Sequence, residues 1–185
     1  MPAPTNAMSA MQPRSRAPSP HFASGKATST CSSTTPARVS GGSAEEITAD
    51  GFELAWRVNA LGALLVSKEV IPAMKNAGHG NIVFIGATAS RRGNVKTAAF
   101  APAKAAQRIL AESMARTLWP AGVHVSLIIV DGVVDIASTR KMMADKPDTF
   151  FVAPADLADV VYAVTKQKPS AWSFEVEARP FAEKW

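Results

Sequence analysis

The stretch GHGNIVFIG, from Gly78 to Gly86, indicates the fold more directly than any other part of this 185-residue sequence. A glycine-rich turn is followed by the continuous apolar run Ile82–Ile85. A short apolar run without alternation is typical of a strand that is buried on both faces of a parallel sheet. Parallel strands need long connections, which are usually helices, so helical patterns are expected on both sides of this run.

Helical and apolar segments alternate after this strand. Residues 98–118 place Ala103 and Met114 on one helix face, and Pro120 marks the end of that helix. The segments that follow are an apolar strand at 123–130, a helix at 153–167 and an alternating edge strand at 172–180 with one polar face. This order predicts an α/β fold with about three parallel strands and helices on its faces. The composition of the first 43 residues indicates no fourth strand.

A long helical pattern precedes the strand and covers residues 44–77. Ser43 and Glu46 have capping-box spacing, and Thr48 offers a second helix-start signal. Two apolar stripes follow, formed by Leu54, Val58, Leu61 and Leu65 and by Trp56, Ala60, Leu64, Ile71 and Met74. A helix that is apolar on two faces must be buried on both faces or take part in an interface.

Residues 1–43 are rich in Ser, Thr, Ala and Pro and contain almost no large apolar side chains. Such a segment cannot bury enough surface to offset its ordering entropy, so we predict a disordered tail. Its Arg- and Ser-rich, acid-free composition also resembles an organelle transit peptide, which its prolines disfavour. We favour a plain tail, or a stretch foreign to the domain, and divide the chain into this tail and an α/β domain at residues 44–185.

Charge and cysteine content exclude several classes of function. The sequence has 20 Lys and Arg against 15 Asp and Glu, but the first 44 residues hold four of the basic residues and no acid. The remainder is nearly neutral, so we expect no nucleic-acid partner. The single cysteine, Cys31, supports neither a disulfide framework nor a thiolate metal site. His79 and His124 have no partner at metal-ligand spacing, so we expect them to be structural and predict no metal.

No apolar run approaches the roughly 18 to 20 residues that span a bilayer. We therefore expect neither a membrane-spanning segment nor a membrane partner, and a cytoplasmic location.

Three segments together carry a resemblance to a known family. WRVNALGALLVSKEVIPAM at 56–74, GNIVFIGATAS at 80–90 and FAPAKAAQRILAESMARTLWPAGVHV at 100–125 resemble the C-terminal half of a short-chain dehydrogenase/reductase. The resemblance covers roughly residues 45–185. It is greatest to a divergent subgroup with GATAS, a phenylalanine in the catalytic helix and a tail such as SAWSFEVEARPFAEKW. It implies a partial Rossmann-type sheet, lacking its N-terminal part, and NAD or NADP as the cofactor.

The resemblance also implies a catalytic tetrad of Asn, Ser, Tyr and Lys, of which this chain keeps half. Asn59 and Lys104 occupy the asparagine and lysine positions, whereas Ala87 and Phe100 stand in place of the serine and the tyrosine. The tyrosine hydroxyl exchanges a proton with the substrate oxygen, which a phenyl ring cannot do. Loss of such a group costs about 10² to 10⁴ in rate.

The cofactor contacts that the family implies are also incomplete. Lys104 would bond the ribose, Gly132 would lie in the loop after the second apolar strand, and the backbone N–H of Val134 would reach the carboxamide, while Ile136 replaces a threonine. No glycine-rich dinucleotide motif occurs in the sequence. We therefore predict weakened cofactor binding and a weakly active or inactive homologue.

Two alternatives stay open. The first is a working NAD(P)-dependent enzyme with another proton donor, either a water or Ser90, since the side chain of Thr88, directly after Ala87 at a strand end, is expected to point the other way. The second is an oligomerising module that regulates full-length relatives. In the family, the helices at 53–77 and 98–118 build the subunit interface, so we expect a homo-oligomer through them.

Overall fold

The computed structural model describes residues 28–31 and 41–182. Most of segment 1–43, for which the sequence predicts disorder, lies outside the described residues. The main sheet is parallel and contains, in spatial order, β1 (Thr28–Cys31), β2 (Gly80–Ala87), β3 (Val123–Val130) and β6 (Glu175–Ala178). A small parallel pair is formed by β4 (Val133–Val134) and β5 (Phe151–Val152). The α-helices are α1 (Ala49–Trp56), α2 (Gly62–Ala77), α3 (Phe100–Leu118), α4 (Ala137–Met142) and α5 (Pro154–Thr165).

The three strands that the sequence predicts are β2, β3 and β6, and the α/β fold with a parallel sheet is confirmed. All eight residues of β3 are buried, as its unbroken apolar run predicts. The expectation of no fourth strand is wrong, because β1 adds to the open side of β2 with Thr28 beside Asn81. Strand pairing uses backbone groups that every residue here carries, so an apolar pattern is not required for it.

Apolar side chains fill both faces of the central strands. On one face, Ile82 and Phe84 of β2 pack with Leu127 and Ile129 of β3 against α2 and α3. On the other face, Val83 and Ile128 pack against α5, where Val164 is buried. Every second residue of β2 therefore faces the same helix layer, as strand geometry requires. This two-sided burial holds the strand ends that form the candidate site.

The predicted helix of residues 44–77 is interrupted in the middle. It begins at Ala49, with the Thr48 hydroxyl accepting a hydrogen bond from the Gly51 N–H at 3.1 Å. A π-helical turn, Arg57–Leu61, separates α1 from α2. Of the two apolar stripes, part is exposed in the single chain: Leu54 and Leu65 keep 54% and 53% of their surface.

The polar face of β6 is covered rather than wet. The side chains of Glu175 and Glu177 are only 19% and 23% exposed and pair with Arg91 and Arg108. Alternation predicts which side chains share a face, but it does not predict that arginines from another loop and helix cover that face.

Within residues 28–31 and 41–182, no helix combines the length and apolar character that a bilayer crossing requires. The same residues contain no cluster of three or more His, Cys, Asp or Glu side chains suited to a metal ion.

Candidate active site

Several predicted site residues lie at or near the carboxyl end of the main sheet, defined here as the end where β2, β3 and β6 finish: Ala87 ends β2, Gly132 follows β3, and Lys104 bonds Ile85 of β2. Ala87 closes β2 beside Val130 of β3, and Val130 lies beside Ala178 of β6. In open α/β sheets, ligands bind outside the carboxyl ends of the strands. The residues that follow these strand ends therefore decide what the site can do.

Asn59 lies in the π-helical turn between α1 and α2. Its side chain is buried, with 3% of the residue exposed, and its Nδ2 donates to the Ala55 carbonyl at 2.9 Å. Single π-helical turns inside α-helices occur frequently at functional sites because they shift side chains relative to a regular helix. The structure thus fixes the Asn59 amide by a bond within its own helix.

Lys104 and Phe100 lie one turn apart on α3, as their spacing predicts. The Lys104 ammonium is buried, with 5% of the residue exposed, and donates to the Ile85 carbonyl and to Gln107 Oε1, both at 3.0 Å. Its Nζ lies 5.9 Å from the centroid of the Phe100 ring. A buried ammonium requires such partners, since desolvating a charge without them is costly.

Two hydroxyls follow Ala87, and both donate to acceptors inside the protein. Ser90 lines a cavity of about 330 Å³ next to α3, but its hydroxyl donates to the Ala87 carbonyl at 2.7 Å. Thr88 donates to Asp131 Oδ1. Thr88 begins the 3₁₀ turn Thr88–Ser90, which follows β2 directly.

Asp131 forms a buried charge cluster that the sequence analysis did not identify. Its carboxylate, with 7% of the residue exposed, accepts from Thr88 and from Arg179, and Arg92 lies 3.9 Å away. Asp131 and Arg179 directly follow β3 and β6, which are neighbours in the sheet. Opposite charges at or just beyond the ends of two consecutive predicted strands are the sequence signal that could have indicated this pair.

A second set of ion pairs lies on the polar face of β6. Arg91 and Arg108 both bond Glu175, with Arg108 Nε at 2.6 Å from Oε2, and Arg91 also bonds Glu177. Burial alone would raise the pKa of Glu175, but the hydrogen bonds from the two arginines outweigh it and hold that pKa below its usual range. The hydrogen bond to Glu175 raises the pKa of Arg91.

The loop after β4 is held by a separate arginine. Arg140 bonds Asp135 through two nitrogens at 2.6 and 2.8 Å, reaches Asp148 at 2.8 Å, and lies 4.1 Å from the Phe151 ring centroid. The hydrogen bonds from Arg140 lower the pKa of Asp135. The segment from Asp135 to Phe151 is thus held by contacts within itself.

The positions expected to contact a dinucleotide do not form an open cradle. A Cβ at Gly132 would lie 2.7 Å from Pro180 Cδ and 3.0 Å from Val152 Cγ2, so side chains already cover this glycine. Val134 lies in β4 beside Val152, and the Val134 group that accepts from the Ile136 N–H at 3.0 Å is its carbonyl, whereas the group expected to contact the carboxamide is its N–H. Together with the inward-pointing Lys104, this geometry does not fit the contacts that the family makes with NAD or NADP.

Comparison with known proteins identifies the family. Residues 37–147, more than half of the chain, match the family model described as short chain dehydrogenase. The chain is 33% identical over 86 residues to a 3-dehydrosphinganine reductase of Danio rerio, a match covering 46% of this chain and 26% of that protein. A 3-ketodihydrosphingosine reductase of Mus musculus is 34% identical over the same shares.

Solved structures show the same relationship. A short-chain dehydrogenase from Rhodopseudomonas palustris is 33% identical, with a TM-score of 0.62 over 76% of this chain and 57% of that one. A metagenomic short-chain oxidoreductase in complex with NADP is 25% identical, with a TM-score of 0.61 over 77% and 57%. The chain thus spans about a quarter of the curated relatives and little more than half of the solved ones. With its partial Rossmann-type sheet, it belongs to the short-chain dehydrogenase family.

Proposed function

We propose that this chain is an oxidoreductase homologue whose own activity is weak or absent. The observation that supports this most is that, among the residues that the structure describes, no group near Ala87 and Phe100 has a hydroxyl hydrogen directed to a substrate. Phe100 has none to give, and the Thr88 and Ser90 hydroxyls donate to Asp131 and to a backbone carbonyl. Reduction of a carbonyl needs a proton at the substrate oxygen, and these groups direct their protons elsewhere.

The retained half of the tetrad supports the same conclusion. Asn59 and Lys104 are buried and donate to Ala55, Ile85 and Gln107, so the hydrogen bonds described above hold them within the protein. Asp131 acts as an acceptor for Thr88 and Arg179. Each group that could replace the missing tyrosine would have to break an internal hydrogen bond before it could serve a substrate.

A nicotinamide dinucleotide, when bound, supplies or accepts the hydride in this family. In this chain, Pro180 covers Gly132 and the Lys104 ammonium points to β2. We therefore propose that NAD or NADP binds weakly. The metagenomic relative was solved in complex with NADP, which makes NADPH a suitable probe for this chain.

The direct test is a titration of the purified chain with NADPH and with NADH, followed by nicotinamide fluorescence. We expect no saturation in the micromolar range and no turnover of a long-chain 3-keto amine, the substrate class that the names of the curated relatives suggest. Micromolar binding together with turnover would overturn the proposal and would favour the alternative of an enzyme with a different proton donor.

Restoring the missing hydroxyls separates the two readings further. At a dinucleotide concentration high enough to fill a weak site, a chain that lacks only the proton donor should gain about 10²- to 10⁴-fold in rate from the Ala87→Ser and Phe100→Tyr double variant. In a chain that already uses another donor, the double variant should gain little. The single Ala87→Ser variant is the matched control, because it restores the orienting hydroxyl without the proton donor.

A second proposal, homo-oligomerisation through the helices at 53–77 and 98–118, rests on exposed apolar side chains. Those on α1, α2 and α3 that keep more than two fifths of their surface are Phe52, Leu54, Trp56, Leu65, Val66 and Ile109. Surface of this kind favours association. A Leu65→Glu and Ile109→Glu variant should lower the mass measured by light scattering. Tyr162→Glu, which alters an exposed aromatic on α5, should not; an unchanged mass in both variants would contradict the proposal.

A further inference from the structure

Gln107 is a buried polar residue of α3, on a helix face that is apolar apart from Gln107 and Lys104. It is 0% exposed, and the buried residues that follow it on α3 are Ala111, Met114, Ala115 and Leu118. Among the described residues, its Nε2 finds no hydrogen-bond partner. An unpaired buried donor destabilises a protein. An apolar side chain would therefore be more stable at this position unless the amide oxygen makes a specific interaction.

The other end of the amide faces the retained lysine. Gln107 Oε1 accepts from Lys104 Nζ at 3.0 Å, across a spacing of three residues that places both side chains on one helix face. The opposite amide orientation would set two donors against each other, since an ammonium has no acceptor. Lys104 therefore fixes which way the amide points, and the amide in turn supplies an acceptor for the ammonium.

The second acceptor of the Lys104 ammonium, the Ile85 carbonyl, shows that the ammonium lies against β2. The Ile85 carbonyl lies on β2, two residues before Ala87, and takes a hydrogen bond from Lys104 Nζ at 3.0 Å. With Gln107 on one side and Ile85 on the other, the ammonium is held between α3 and β2. Phe100 offers it only a ring at 5.9 Å.

We propose that Gln107 is a positioning residue that holds the Lys104 ammonium against β2 and removes it from cofactor binding. The inference rests on the proposed function, for which it gives a cause: the lysine is retained in sequence but serves as a structural cation. If Gln107 merely filled space, an apolar side chain of similar size would leave the lysine where it is.

The test measures the reactivity of Lys104 in the folded full chain, with no dinucleotide present. The protein is acylated briefly with acetic anhydride, and each lysine is quantified by mass spectrometry. Gln107→Leu should raise the labelling of Lys104 about tenfold, because a hydrogen bond to a charged group is lost. Gln107→Glu keeps an acceptor at this position and should leave the labelling low.

Two further variants keep the test decisive. Gln107→Met replaces Gln107→Leu if that variant fails to fold, as judged by circular dichroism. Ser67→Ala removes another fully buried polar group on α2 and should leave Lys104 labelling unchanged. Unchanged labelling in a folded Leu or Met variant would overturn the inference. Micromolar NADPH binding by the unaltered chain would instead overturn the proposed function, so the two failures are distinguishable.

Discussion

The two ends of the main sheet are closed by different physical means. At the amino end, where β2 and β3 begin, Trp119, His124 and Trp172 pack as three rings, with His124 stacked on Trp172 at 4.7 Å and 4°. At the carboxyl end, Asp131 and Arg179 lead a cluster of charges. Packed aromatic rings cover the amino end, whereas ion pairs between largely buried charged side chains cover the carboxyl end.

This difference bears on function, because ligands in open α/β sheets bind at the carboxyl end. There the hydroxyl of Thr88 and the guanidinium of Arg179 both bond the Asp131 carboxylate. Polar groups that satisfy one another stabilise the fold but offer little to a substrate. The end expected to perform chemistry therefore contains charge, but that charge is used within the protein.

The largest expected effect comes from breaking the charge cluster. Asp131→Ala should lower the free energy of unfolding by about 3 to 5 kcal/mol, because it removes a buried carboxylate that accepts from both Thr88 and Arg179, while Glu177 stays 3.2 Å from Arg179. Urea unfolding followed by circular dichroism measures this loss.

Asp135→Ala is the matched control, because it removes the same kind of side chain four residues later, beyond β4, at a position where the side chain is 34% exposed. Its effect should be much smaller. Equal midpoints for the two variants would mean that the buried cluster does not close the carboxyl end.

The amino end should respond to shape instead of charge. Gly122 has φ +79°, and a Cβ there would lie 2.1 Å from the Gly78 carbonyl oxygen, so Gly122→Ala should cost about 3 kcal/mol. Gly78→Ala is the control, because Gly78 has φ +69° but nothing within 4 Å of its Cβ position. It should cost only about 1 kcal/mol, the strain of a left-handed backbone. Similar losses in urea unfolding for both variants would show that the contact between the turns has no energetic weight.

The sequence predicts the strands and helices better than it predicts the contacts between them. The apolar runs of β2 and β3 and the shared helix face of Phe100 and Lys104 follow from local periodicity alone. The pairing of Asp131 with Arg179 depends on β6 lying beside β3, and a residue pattern does not state which strands are neighbours. Gln107 could not be assigned either, because a single amide in a helix gives no sign of burial. Local sequence patterns thus predict strands and helices, whereas the side-chain pairs of the candidate site depend on which of these elements are neighbours in the fold.

The smallest expected effect is a pH dependence of the free energy of unfolding, which arises from His124 at the amino end. Burial lowers the pKa of His124 from its usual 6.5, although its bond to the Ser173 carbonyl opposes this. The unfolded chain therefore binds more protons just below pH 6.5, so stability falls as the pH is lowered through that window. The slope should not exceed about 1.4 kcal/mol per pH unit. Urea midpoints measured at several pH values report it.

His124→Gln should abolish this slope while leaving any loss at lower pH in place. Glu175 has a depressed pKa, so its contribution is present above its ordinary value of 4.5 and is lost only as the pH falls further. Acid should therefore weaken the amino end first and the ion pairs on the polar face of β6 second. A slope near pH 6 that persists in the His124→Gln variant would mean that a neutral His124 is not what keeps the three rings packed, and that the amino end also depends on charge.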